Sequence, residues 1–163
     1  MTGVRLEIAI TLNGRAETIE APANEMLIDT LRDRFGLTGT KLSCDQATCG
    51  ACTVLVDGES VRSCLLLAVQ VDGCEIRSVE SLGTIDRLSP LQEAFREHHG
   101  LQCGFCTPGM LMTATDLLER SPLATDEEIR EGMSGNLCRC TGYQGIVNAV
   151  RAAARARVEK GPP

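Results

Sequence analysis

Leu6, Ile8, Ile10 and Leu12 alternate with polar positions, the period of a half-buried β-strand. Asn13-Gly14 follows, and both residues accept the positive φ of a two-residue hairpin turn, so a second strand is expected over Ala16 to Glu20. The same pattern returns as Thr53 to Val56, Asp57-Gly58, then Ser60-Val61, and Glu75 to Val79 offers one more strand. Between the hairpins the period lengthens. Met26, Leu27, Thr30, Leu31 and Phe35 fall at helical spacing, with Asn24 as N-cap and Gly36 as the stop. Strands covered by one helix predict a small α+β unit over residues 1–81.

From residue 82 to 163 helix starts replace strand alternation. Ser89-Pro90-Leu91-Gln92 and Thr125-Asp126-Glu127-Glu128 are capping-box patterns, the first with Pro at the opening helical position. Thr107-Pro108 marks another start, for a helix carrying Met110, Leu111, Ala114, Leu117 and Leu118 inward and ending at Ser121-Pro122. A last helix is expected from Gln144 to Val158, with Ile146, Val147, Val150 and Ala154 inward. Short helices joined by short loops predict a compact bundle. The fold class is therefore α+β, a strand-rich unit followed by a helical one, packed together without a low-complexity linker.

Composition narrows the function. A net charge of -6 over 163 residues lacks the basic footprint of a nucleic-acid binder. No Trp, one Tyr and three Phe leave little for base stacking or an aromatic ligand cage. The N-terminus has no basic run ahead of an apolar stretch, and no window approaches a membrane span, so a reducing cytoplasm is the expected compartment. There, nine cysteines point to metal ligation ahead of disulfides.

Their spacing carries the chemistry. Cys44-x4-Cys49-x2-Cys52 is the plant-type ferredoxin spacing, in which a loop wraps a [2Fe-2S] cluster and a distant cysteine completes it. Gly50 and Ala51 are small where backbone amides must approach sulfur. From spacing alone Cys64 and Cys74 are both admissible as the fourth ligand. Cys103-x2-Cys106 and Cys138-x-Cys140 make a second quartet at helix edges, which describes either another iron–sulfur cluster or a tetrahedral zinc site. The adjacent His98 and His99 have the wrong spacing for a Rieske centre, and a helix C-terminus accounts for them. No nucleophile triad, paired acid–base carboxylates or phosphate loop is recognisable. A conductor of electrons is expected, with a diffusible two-cluster ferredoxin and a zinc-stabilised interaction module as the alternatives.

Three segments in order, Cys44-Asp-Gln-Ala-Thr-Cys-Gly-Ala-Cys-Thr-Val54, Gln102-Cys-Gly-Phe-Cys-Thr-Pro-Gly109 and Gly135-Asn-Leu-Cys-Arg-Cys-Thr-Gly-Tyr143, resemble the small iron–sulfur subunit of the molybdenum hydroxylases, the xanthine oxidase family. The resemblance runs over nearly the whole chain. It implies a β-grasp, ferredoxin-like domain followed by a four-helix bundle, and two [2Fe-2S] clusters. It makes Cys64 the fourth ligand beside Cys44, Cys49 and Cys52, gives the second cluster to Cys103, Cys106, Cys138 and Cys140, and leaves Cys74 as an odd thiol. It places Gln102 and Cys140 against a molybdopterin-type cofactor on a large subunit. A medium subunit with FAD would accept the electrons, in a dimer of heterotrimers. Ser43 departs from the Gly found before the first cysteine in many relatives. The basic positions Arg151, Arg155, Arg157 and Lys160 read as a solvated helix face.

Overall fold

In the computed structural model, which describes residues 4–160, a five-stranded mixed sheet precedes four helices. Met1 to Gly3 and residues 161–163, at the ends of the expected units, lie outside the described residues. β1 (Arg5–Leu12) and β2 (Arg15–Pro22) pair antiparallel through a turn at Asn13 and Gly14, whose φ values of 50° and 80° suit its twist. β3 (Thr53–Val56) and β4 (Glu59–Arg62) repeat this around Asp57 and Gly58. β5 (Glu75–Arg77) is the central strand of the order β2-β1-β5-β3-β4, parallel to β1 and antiparallel to β3. The expected strand residues Ser78 and Val79 leave the sheet, Val79 opening a 3-10 turn.

One face of the sheet is apolar. Ile10, Leu12, Val54 and Ile76 close over Leu27, Leu31 and Val71. Leu6, expected to point inward with them, is half exposed. The helix of this half is shorter than its spacing predicts, since α1 (Leu27–Asp29) passes at once into a π-helical turn, Thr30–Arg34. Asn24 is not its cap. Met26 is still extended because it bridges to Leu67 while the Leu27 amide donates to Leu66 O, and these pairings hold the chain as strand until residue 26.

The helical half matches its start signals closely. α2 (Pro90–Glu97) and α4 (Asp126–Met133) open on reciprocal capping boxes, Ser89 with Gln92 and Thr125 with Glu128. α3 (Thr107–Arg120) and α5 (Gln144–Lys160) supply most of a shared core of Phe95, Met110, Leu111, Ala114, Ile129, Ile146 and Val150.

The two halves meet along α3. Asp116, almost fully buried, accepts from the Ser60 amide at the start of β4 and from Arg120. Arg77 of β5 pairs with Glu119 at 2.6 Å.

Candidate metal centres

The loop between Phe35 and β3 carries Cys44, Cys49 and Cys52 and has no regular structure of its own. Its backbone is unusual: Asp45 and Ala47 stand at φ 54° and 57°, which turns successive amides toward its inside. The Cys49 amide donates to Cys44 Sγ at 3.4 Å and the Ala47 amide to Cys64 Sγ at 3.4 Å. Donation from the Gln46 and Cys49 amides holds the Cys44 thiol down to about 7, so the loop favours thiolate, the form that binds metal.

Cys64 arrives from a 3-10 turn after β4, fastened beneath the loop by Ser63, whose amide and hydroxyl both donate to Cys52 O. Cys52 and Cys64 are buried together beside Ile28. Burial pushes the Cys52 thiol up to about 11, and the neighbouring Cys64 sulfur adds to it. Cys44 interacts with Cys49, and Cys52 with both Cys64 and Cys49, so the four thiols lie near one another. Cys74 stands elsewhere, in the turn before β5, where burial and Asp57 raise its thiol.

The second quartet joins the turn before α3 to the turn before α5. Cys103 and Cys140 are exposed, their sulfurs 3.6 Å apart. Cys106 and Cys138 lie deeper; burial, then the Cys138 sulfur, pushes the Cys106 thiol up to about 12. Burial opposes ionisation of Cys138, yet the Thr141 hydroxyl, donating at 3.1 Å, and the amides of Cys140 and Thr141 hold its thiol below the usual value. The Cys138 amide donates to Tyr143 Oη, and Gln102 Nε2 donates to Cys140 O at 3.0 Å. The hydroxyl oxygen of Thr107, next to Cys106, is buried with no partner among the described residues.

Both quartets fit a [2Fe-2S] cluster. Its two irons each take two protein thiolates, and each half gathers four thiols. The Ala47 and Cys49 amides donate to cysteine sulfur, the contact that steadies thiolate ligands of a cluster.

Comparison with known proteins finds two iron–sulfur family models along the chain. Residues 10–77 match the family model described as a 2Fe-2S iron-sulfur cluster binding domain, and residues 78–151 match a second, described as a [2Fe-2S] binding domain. The nicotine 6-hydroxylase small subunit of Paenarthrobacter nicotinovorans is 60% identical over 146 residues, covering 90% of this chain and 88% of that protein. The chain belongs to the small iron–sulfur subunits of the molybdenum hydroxylases. Caffeine dehydrogenase subunit gamma of a Pseudomonas species is 52% identical over 148 residues, 89% of each chain. Quinoline 2-oxidoreductase from Pseudomonas putida 86 superposes with a TM-score of 0.91 at 48% identity, over 98% of this chain and 99% of that one. Aldehyde oxidoreductase from Desulfovibrio gigas gives 0.92 at 41% identity over 96% of this chain and 18% of that much longer one. A small iron–sulfur subunit of this kind transfers electrons within an oxidoreductase complex and carries no substrate chemistry itself.

Between the quartets this small subunit holds a set of contacts that spacing does not reveal. The Leu137 amide donates to Cys49 O at 2.9 Å. Asn136, 1% exposed, donates from Nδ2 to Gly50 O at 3.0 Å and accepts at Oδ1 from Thr113 and Arg62. Gly50, at φ 74°, is small for this reason: a Cβ there would lie 2.6 Å from Gly135 O and 2.7 Å from the Asn136 amide. Its lack of a side chain serves the contact between halves, where the sequence suggested amide approach to sulfur. An Asn two residues before a ligand pair was the only available signal for the hub.

Proposed function

We propose that Cys44, Cys49, Cys52 and Cys64 hold one [2Fe-2S] cluster, that Cys103, Cys106, Cys138 and Cys140 hold the other, and that Cys74 holds neither. The observation that carries this is the gathering of cysteine sulfur in each half that matches an iron–sulfur family model: the Ala47 and Cys49 amides donate to Cys64 and Cys44 in the first, and the Cys103 and Cys140 sulfurs stand 3.6 Å apart in the second. Each cluster supplies one-electron exchange. The protein residues supply the thiolates, the amide donors that favour them, and the burial that keeps water from Cys52 and Cys64. On this reading the chain divides near residue 81 into a β-grasp domain, 1–81, and a four-helix bundle domain, 82–163, since each half has its own apolar core.

The partners follow from what each quartet shows to solvent. Around the exposed Cys103 and Cys140 lie Leu101, Phe105, Leu137 and Tyr143, apolar side chains left uncovered where Gln102 is bonded to Cys140 O. This edge faces the large subunit, and Gln102 and Cys140 meet its molybdopterin-type cofactor. Near the other quartet Leu42 and Leu65 are exposed, and this side faces a medium subunit holding FAD. The holoenzyme is a dimer of heterotrimers in the cytoplasm; no described helix is long and apolar enough to cross a membrane. Copurification of the tagged chain from its host tests the assignment: the proposal requires a molybdopterin-containing large chain and a flavin-containing one in the same complex, and a chain recovered alone overturns it.

A further inference from the structure

We propose that Asn136 is a positioning residue for electron passage between the two clusters. Its carboxamide fixes the distance between the two ligand loops, and through that the coupling of one cluster to the other. The inference rests on the ligand assignment above.

Gly50 follows Cys49 in the first loop, and Asn136 stands two residues before Cys138 in the second. The carboxamide bridges the halves from both of its ends. Nδ2 donates to Gly50 O, and Oδ1 receives the hydroxyl of Thr113 at 2.9 Å from α3 and Arg62 Nη2 at 3.3 Å from β4. Arg62 continues the brace, donating to Gly135 O at 2.8 Å and to Thr53 Oγ1 at 2.6 Å, while Thr53 Oγ1 in turn donates to Gly50 O at 2.6 Å. Every one of these groups is in or beside a ligand loop or on an element that carries one.

Burial makes this a constraint and not decoration. A carboxamide closed off from water is held by each bond it makes, because a released donor or acceptor is left without a partner. The Leu137 amide bond to Cys49 O, at 2.9 Å, joins a residue adjacent to Cys138 directly to a ligand residue of the other quartet. It has no side chain to adjust it. Its length depends on where Asn136 and Gly50 are held. Truncation of Asn136 therefore loosens the bridge without removing any cysteine.

The test uses the assembled complex. Asn136→Ala and the isosteric Asn136→Asp, which loses the donor to Gly50 O, are purified with iron and sulfide counted on the same samples. Two readouts follow: the spin–spin splitting between the two reduced clusters in paramagnetic resonance, and the inter-cluster electron-exchange rate after rapid reduction. The expected result is full iron content, a diminished splitting and a rate lowered several-fold in both variants. Thr113→Val, which removes one donor to Oδ1, gives a smaller change in the same direction, and decides the matter where an Asn136 variant does not assemble. Full iron content with unchanged splitting and rate overturns the inference. Loss of iron from wild-type protein overturns the ligand assignment instead.

Discussion

Gly109, in the first turn of α3, faces the carbonyl of Gly50 so closely that a Cβ at residue 109 would lie inside the van der Waals envelope of that oxygen. The obstacle is backbone in a ligand loop, which has no rotamer to give way. Gly109→Ala must therefore move α3 away from the loop. It is expected to destabilise the chain by about 1–3 kcal/mol, the range for overpacking, and to lower the yield of iron-loaded protein. Thermal melting with iron analysis checks this; a variant that melts and loads as wild type would mean the halves do not pack in this way.

Substitution of Cys64 and of Cys74 tests which of them is the fourth ligand. The structure sets Cys64 beside Cys52 with the Ala47 amide on its sulfur, and Cys74 beside Asp57 and Asp72. Cys64→Ser is expected to lose about half the iron, one cluster of two, whereas Cys74→Ser keeps it all. Iron per chain and the number of distinct paramagnetic signals distinguish the two.

Acid should open the seam along α3. Burial alone raises the Asp116 pKa, but donation by Arg120 and Ser60 brings it below the usual carboxylate value. A folded pKa below the unfolded one means stability that is fully present above about pH 4 and lost as pH falls through the folded value. Asp116→Asn is expected to cost about 1–3 kcal/mol at neutral pH and to flatten the acid limb of a stability profile. Arg77→Ala, breaking a part-exposed ion pair on the same seam, should cost under about 1 kcal/mol and leave that limb intact. Denaturant midpoints between pH 3 and 7 compare the three proteins, and equal acid limbs in wild type and Asp116→Asn would contradict the assignment.

Local chemistry was legible in the sequence wherever it acts over a few residues. Asn13-Gly14, Asp57-Gly58, Ser89 with Gln92, and Thr125 with Glu128 each fix a turn or a helix start by contacts within the motif, and the structure places them accordingly. Asn24 misled because the competing interaction comes from far along the chain: Leu66 and Leu67 hold Met26 extended past the expected cap. The same holds at the centres. Cysteine spacing groups the thiols, but Asn136 on Gly50, Asp116 on Ser60, and the positive φ of Asp45 and Ala47 depend on how the two halves meet or on loop closure, and no sequence period encodes them.

Each quartet of thiolates is expected to bind two irons. Metal and acid-labile sulfide analysis of anaerobically purified protein, read with paramagnetic resonance after reduction, tests it most directly. The expected result is about four irons and four sulfides per chain and two distinguishable [2Fe-2S] signals. Zinc in place of iron, or a colourless sample without signal, would contradict it.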